Sequence, residues 1–467
     1  MALAMRVLFA TAEFHPVVTV GGLAAASAGL VGELRRMGVE VSVLLPDYGG
    51  VALENETRES VTVPKWAGPA SVRRGVHAVA GALDLVSVPD MARPHPYLQA
   101  GGEGWKDNDA RFFRFSQAVA ALAKAQKPDV LHVNDWHTAT ALAALDEAQA
   151  TVLSIHNLVY QGITDPKWLP RLGPRHEAFK LNDDCNPLAG GIALADRIVM
   201  VSDNYAREVL RPEGGAGLHT QLGSRASHLS GIRNGINVDL WDPGRDPRIT
   251  KPFGPHTLWR KDENRAALRR ELGLRERPGC PVFVVLTRLA HQKGIDMLVP
   301  LLQFFPQMPA QLAVLGAGDT GTVAALREAV VRSRGDVAFV EGYDEGFAHR
   351  LVAGGDMLIM PSRFEPCGLT QMEAMRYGTL PVATDVGGLH DTVIDLDHSP
   401  NAGNGWLAAE PSSVALLDAL HRAVRGWQNK RLRRGAQRRA MTADWSWKVP
   451  AAEYLDVYAR VARTRGQ

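Results

Sequence analysis

The feature that most constrains this chain is a rhythm in which short apolar runs alternate with helix-length patterns, twice over. In the first half the runs Val7–Ala10, Val39–Leu45, Val130–Val133, Val152–Ile155 and Ile198–Val201 have strand character, with helical patterns over Leu23–Met37 and Phe115–Lys124 between them. Strands separated by helices need crossover connections, which predicts a parallel sheet with helices on its faces. The rhythm restarts with strand runs Val282–Leu286, Gln311–Leu315, Val337–Val340, Met357–Met360 and Pro381–Thr384, with helical patterns from Ile295 and over Val323–Ser333. Asp242–Gly254, rich in Pro, Gly and charge, separates the two series and reads as a linker.

A chain of 467 residues is too long for one ordinary core and fits two domains of roughly 200 residues each. The expected division is 1–248, 249–445 and a C-terminal helical segment 446–467, whose helix is predicted over Ala451–Thr464 after Trp445 and Trp447. Composition is that of a soluble globular protein, at 46% hydrophobic and 22% charged, and a net charge of +2 gives no reason to expect nucleic acid or membrane as a partner. Cys185, Cys280 and Cys367 are scattered without metal-site spacing, so no disulfide framework or zinc site is expected. With neither a secretion signal nor a long apolar span in the sequence, a cytoplasmic location is the expectation.

Chemistry concentrates in Pro361–Pro381, PSRFEPCGLTQMEAMRYGTLP. The segment follows a buried strand run and precedes a helical pattern from Gln371, so it belongs at a strand's carboxyl end, where open α/β sheets bind ligands. Glu365 is a candidate nucleophile, base or sugar-hydroxyl acceptor, and no partner carboxylate is evident from the sequence. The turn Cys367-Gly368-Leu369-Thr370 would present backbone amides at the start of a helix, which suits an anion. Arg288 and Lys293, separated by four residues after another strand, would aim two cations at the same edge. His156 and Asn157 end a third apolar run in the same way, and Gly21-Gly22 would let backbone approach a phosphate.

These segments, in order, resemble the glycogen and starch synthases. EFHPVVTVGGL (13–23) is similar to that family's amino-terminal glycine loop, and NDWH (134–137), HNLVYQG (156–162), Asn234-Gly235 before Trp241, RLAHQKG (288–294), Pro361–Pro381 and Gly387-Gly388-Leu389 continue the series at family-like spacing. The resemblance implies a retaining glycosyltransferase of the architecture called GT-B: two Rossmann-like α/β domains facing across a cleft, with a C-terminal helix crossing back to the first. It implies a nucleotide-sugar donor, a sugar or glucan acceptor and no metal or other cofactor. Arg288 and Lys293 would then meet the charge of a departing nucleoside diphosphate without a metal. Glu365 would hold donor-sugar hydroxyls, His156 would lie beside the anomeric carbon, and Tyr343 would stack on the nucleobase. Gly21, Gly22, Asn234, Cys367, Gly368, Leu369 and Thr370 complete the donor-side set, and Asp135, His137, Asn157 and Trp105 form the acceptor-side set.

Three positions depart from that family. It carries Lys two residues before the glycine pair, where this chain has Thr19, it usually shows Asp at Ala25, and its N-x-x-K-x-G segment reads here as Asn186 to Gly191 with Ala189 in the lysine position. A charged hydrogen bond is worth about 1.5 to 3 kcal/mol, so loss of one predicts roughly tenfold to a hundredfold weaker binding of a standard donor unless something compensates. All three changes fall in the first domain. Two expectations follow: elongation of an α-1,4-glucan from a nucleotide sugar, or a diverged activity in which a nucleotide-activated cyclitol or unusual sugar is joined to a small amino-sugar phosphate.

Overall fold

The computed structural model describes residues 5–99 and 101–465. The chain separates into two compact α/β units, one formed by residues 1–235 together with 447–467 and the other by 236–446.

The first unit is built on a nine-stranded sheet in the order β11-β10-β7-β6-β1-β2-β5-β4-β3. Its strands are β1 (Arg6–Ala10), β2 (Glu40–Pro46), β3 (Glu54–Val61), β4 (Ala70–His77), β5 (Gly81–Ser87), β6 (Val130–Asn134), β7 (Thr151–Ile155), β10 (Arg197–Met200) and β11 (Leu229–Gly231); β8 (Lys180–Leu181) and β9 (Asp184–Cys185) form a separate small hairpin. The apolar runs of β1, β2, β6, β7 and β10 pair in parallel, as expected. The sheet is nevertheless mixed, because β4 runs antiparallel to both β3 and β5. β3 reads ENETRESV with nearly every residue exposed, so it has no apolar alternation to betray a strand, and its charges suit a sheet edge.

The C-terminal helix, Lys448–Arg465, belongs to this unit. Its buried Tyr454, Tyr458 and Val461 join Val7, Phe9, Val130 and Val152 of the sheet in one core, together with Trp447. Two polar contacts fix its position: Tyr458 Oη lies 2.7 Å from His132 Nδ1, and Tyr454 Oη lies 3.0 Å from Ser154 Oγ. His132 Nε2 closes the network on Ser154 Oγ at 2.8 Å. Inside an apolar core such a network specifies one seating of the helix, since any slip leaves buried polar atoms unpaired.

The second unit has six parallel strands in the order β14-β13-β12-β15-β16-β17, comprising β12 (Val282–Leu286), β13 (Gln311–Gly316), β14 (Val337–Glu341), β15 (Met357–Met360), β16 (Leu380–Thr384) and β17 (Trp406–Ala408). The order reverses between β12 and β15, which is the switch point at which doubly wound sheets bind ligands beyond their carboxyl ends. Asp242–Gly254 is not a free linker but part of this unit. Trp241 stacks on His349 with ring centroids 3.9 Å apart, and Asp246, buried, accepts from Tyr377 Oη at 2.7 Å and contacts His349 Nδ1 at 2.7 Å. The division therefore falls at Gly235/Ile236 rather than at 248/249, because these buried contacts anchor the segment that composition alone marks as loop. Among the described residues no helix is long and apolar enough to cross a membrane.

Candidate active site

In the second unit the chemistry gathers at the switch point. Lys293 stands in the loop after β12 and Glu365 in the loop after β15, and Lys293 Nζ lies 2.6 Å from Glu365 Oε2 with both side chains largely buried. Ser362 Oγ donates to the same oxygen at 3.0 Å, which leaves Oε1 as an acceptor without a partner among the described residues. Backbone geometry forces the two loops together. Gly294 has φ 64°, and a Cβ there would sit 1.9 Å from Pro361 O, so only glycine lets the Lys293 loop lie against the strand end. On the other side Gly387, φ 45°, would place a Cβ 2.0 Å from Glu365 O. Gly388 N then donates to Glu365 O at 2.9 Å and holds the carboxylate's own backbone.

Arg288 is brought to the same loop but stays exposed, its guanidinium without a partner among the described residues. Its backbone is held because the next residue, Leu289, pairs with the loop after β13. Arg363, by contrast, is committed to structure: it grips Asp296 with two bonds of 2.7 and 2.6 Å and donates to His291 O. Gln371 Nε2 donates to Cys367 O at 3.0 Å and Gly368 O at 2.9 Å, which shapes the turn ahead of Thr370, the first residue of the helix Thr370–Arg376. Cys367 is buried and Leu369 precedes that helix. Tyr343 lies beyond β14, two strands from β12, as an exposed residue able to stack on a planar ligand.

The sequence reading passed over Glu373. It stands on the Thr370–Arg376 helix, eight residues after Glu365, and burial raises its carboxyl from the usual range to about 8. It is also among the charges that act on Tyr343. The signal was present as a Glu-x7-Glu spacing across a strand-loop-helix junction, so a second carboxylate does exist, on the helix that follows the Glu365 loop.

In the first unit the order reverses between β1 and β6, and there the strand ends bring several expected residues together. Asp135, with φ 53°, follows β6 and is buried; its Oδ1 accepts the His156 amide at 2.7 Å. His156 Nε2 lies 3.0 Å from Asn134 Oδ1, and Asn134 Nδ2 donates to Ala10 O, so the bonding pattern assigns the ring proton to Nε2. Burial lowers the imidazole to about 4, and the ring is neutral at pH 7 with Nδ1 as an acceptor. Its amide is spent on Asp135, so of its backbone only the carbonyl can serve a ligand. Burial also raises Asp135 to about 7, against the backbone N–H groups of His156 and Asn157.

Asn157 does turn chemistry, its Oδ1 accepting the Val159 amide at 3.1 Å. The loop it opens leaves Val159, Tyr160 and Ile163 exposed. His137 is buried against Trp136, Phe112 and Tyr97, its ring lowered to about 3 by burial. Its Nδ1 is buried without a hydrogen-bond partner. Trp105 is tied by its indole N–H to His95 O at 2.9 Å and lies under Arg93, and none of its contacts among the described residues reaches His156. Asn234 sits beyond β11, buried, with Oδ1 unpartnered.

The glycine loop differs from the expectation of amides open to a phosphate. Glu13 Oε2 accepts both the Val20 and the Gly21 amides at 2.8 Å, and Oε1 accepts from Tyr97 Oη at 2.9 Å. A buried carboxylate thus organises the loop, and Gly21 is engaged internally; Gly22 begins the helix Gly22–Arg36. Thr19, in the position of the family lysine, has its Oγ1 3.3 Å from His15 Nδ1. Ala189 is buried, its amide held by Asn186 Oδ1 at 3.0 Å at the start of the helix Pro187–Leu194, so the missing lysine is replaced by a plain helix cap.

Comparison with known proteins places both units among glycosyltransferases. Residues 6–224 match the starch synthase catalytic domain model and residues 265–441 match the glycosyl transferases group 1 model. The chain is 40% identical over 479 residues to a glycogen synthase of Halorhodospira halophila, covering 99% of this chain and 100% of that one, and 38% identical over 481 residues to a glycogen synthase of Dechloromonas aromatica, covering 99% of both. Among solved structures, the catalytic domain of starch synthase IV from Arabidopsis thaliana, bound to ADP and acarbose, superposes with a TM-score of 0.87 at 29% identity, covering 98% of this chain and 100% of that one. With the α/β units of the GT-B class and relatives matched end to end, the chain belongs to the glycogen synthase family of nucleotide-sugar glycosyltransferases.

Proposed function

We propose that this enzyme elongates an α-1,4-glucan, moving glucose from ADP-glucose or UDP-glucose to the 4-hydroxyl at the non-reducing end with retention of configuration. The carrying observation is the Lys293–Glu365 contact at the switch point of the second unit, which sets a cation for a diphosphate beside a carboxylate for sugar hydroxyls. In the reaction the acceptor oxygen bonds to the anomeric carbon as the bond to the β-phosphate oxygen breaks, and the departing phosphate takes the acceptor's proton. Arg288 and Lys293 stabilise the charge that builds on the nucleoside diphosphate, a role worth about 3 to 4 kcal/mol for one well-placed donor. Glu365 positions the sugar through Oε1. His156, neutral, offers Nδ1 as an acceptor and does not compete with the sugar as a cation. Tyr343 and Glu373 form the nucleoside end. The relatives do not favour the cyclitol-coupling alternative, being glycogen synthases along their whole length.

The test is a transfer assay with labelled ADP-glucose and UDP-glucose, glycogen or maltooligosaccharide acceptors, and EDTA in place of added metal. Elongation that survives EDTA supports the reading. Folded protein that binds the nucleotide but elongates no glucan overturns it.

A further inference from the structure

A cluster of arginines outside the switch points lies at the opposite edge of the first sheet. A cavity of about 370 Å³ opens between the amino end of β10, the segment around Arg225 and His228, and the last turns of the C-terminal helix. Arg197, Arg225, Arg460 and Arg465 line it with His228, and Asp196 is the one carboxylate in the lining. Asp196 has no charge to spare: Oδ1 accepts from Arg465 Nε and Nη2 at 3.0 and 2.6 Å, and Oδ2 accepts from the Thr151 amide and hydroxyl at 2.8 and 3.0 Å. Protein carbonyls hold two more guanidinium groups in place, with Arg197 Nη1 donating to Ser227 O at 2.7 Å and Arg225 Nη2 to Ala195 O. The remaining donors are available. Arg225 Nε is buried without a partner, and the Arg460 guanidinium has none among the described residues.

Three guanidinium groups held by the protein and a fourth left free, against one committed carboxylate, form a site that suits an oxyanion, since guanidinium donors match phosphate oxygens in pairs. The volume sits at the small end of the range for ligand pockets, about 300 to 1,000 Å³. We propose that this cavity binds the phosphate group of a small metabolite, at a site separate from the one that performs glycosyl transfer. Separation follows from topology. Asp196 and Arg197 stand at the amino end of β10, whereas Asn134, Asp135 and His156 stand at the carboxyl ends of β6 and β7, which run parallel to it. The C-terminal helix nevertheless links the two edges, because it contributes Arg460 and Arg465 to the cavity and Tyr454 and Tyr458 to the His132–Ser154 network, two residues before His156.

The experiment is calorimetric titration of the full chain and of Arg460→Ala with inorganic phosphate, glucose 6-phosphate and, as the neutral control, glucose, the binding at this cavity being the difference between the two proteins. The expected difference is one equivalent of each phosphate compound bound and no heat with glucose. A gain in affinity from phosphate to glucose 6-phosphate assigns the site to a phosphate ester, and equal affinity assigns it to free phosphate. Arg460→Ala, at an exposed helix position, and Arg225→Ala should each weaken binding at least tenfold, with transfer activity in phosphate-free buffer unchanged. The Arg460 variant carries the test if the Arg225 variant folds poorly. Absence of binding to the parent chain, or undiminished binding by a folded Arg460→Ala, overturns the proposal.

Discussion

At the residue scale, what distinguishes this site is how each ionisable group is held ahead of substrate. Lys293 and Glu365 neutralise each other, so removing either leaves the other charge half-buried and misplaced as well as deleting its own contact with substrate. Lys293→Ala is expected to lower kcat by about 10² to 10³, from the magnitude typical of a lost transition-state donor, and to lower the melting temperature as well, because Glu365 stays buried without its cation. Steady-state kinetics beside thermal melts check this, and near-normal turnover would remove Lys293 from the mechanism. His156 makes a different prediction. Burial lowers its imidazole to about 4, so its ring resonances should stay flat between pH 5 and 8 in an NMR titration, and a midpoint near 6.5 would contradict the neutral role. The glycine loop shows how far residue-level inference reaches. The paired glycines were legible, but Glu13, whose carboxylate takes up the Val20 and Gly21 amides, lies eight residues before Gly21 and becomes a partner only once the loop has folded back.

At the scale of elements, the site depends on loops being pressed together by positions that tolerate no side chain. Gly294→Ala puts a methyl where Pro361 O already lies and strains a left-handed residue, so the 288–294 loop must withdraw from Glu365. The expected outcome is a loss of about 1 to 3 kcal/mol of stability with a fall in kcat larger than a global loss of that size explains. Chemical denaturation and single-turnover rates, measured on the same sample, separate the two effects. Among the strands, the apolar parallel ones were legible because burial on both faces gives continuous hydrophobic runs. The β3–β4 pair was not, since ENETRESV lies at the sheet edge and is specified by pairing rather than by burial.

At the scale of the whole molecule, the first unit is discontinuous: its sheet is completed by a helix from the far end of the chain. Ending the chain after Ser446 would strip Tyr454, Tyr458 and Val461 from the core and leave His132 and Ser154 without their tyrosine partners. Such a chain is expected to lose the first unit's unfolding transition in calorimetry, and retention of a native-like transition would show that the helix is dispensable. Stability should also fall in acid. His132, His137 and His156 have folded-state values of about 3, 3 and 4, below the usual 6.5, so between pH 6.5 and those values the unfolded chain binds more protons and folding weakens as pH drops. Asp135 and Glu373 oppose this, because their folded values of about 7 and about 8 lie above their usual ones and their burial is relieved by protonation, but two carboxyls do not offset three imidazoles. The melting temperature is therefore expected to drop from pH 7 to pH 5, and Asp135→Asn should steepen that drop.

The sequence by itself determined that there are two α/β units, which apolar runs form their parallel strands, and which loops stand at carboxyl strand ends, because these depend on local periodicity and on the rule that parallel strands need crossovers. Tertiary structure alone decided the rest. Only packing shows that Lys293 meets Glu365 across 72 residues, that Asp246 and Trp241 make a core of what composition reads as linker, that the last helix completes the first sheet, and that four arginines from distant segments line one cavity. Each of these is a contact between positions far apart in the chain, and no local pattern encodes which distant polar group a buried charge will find.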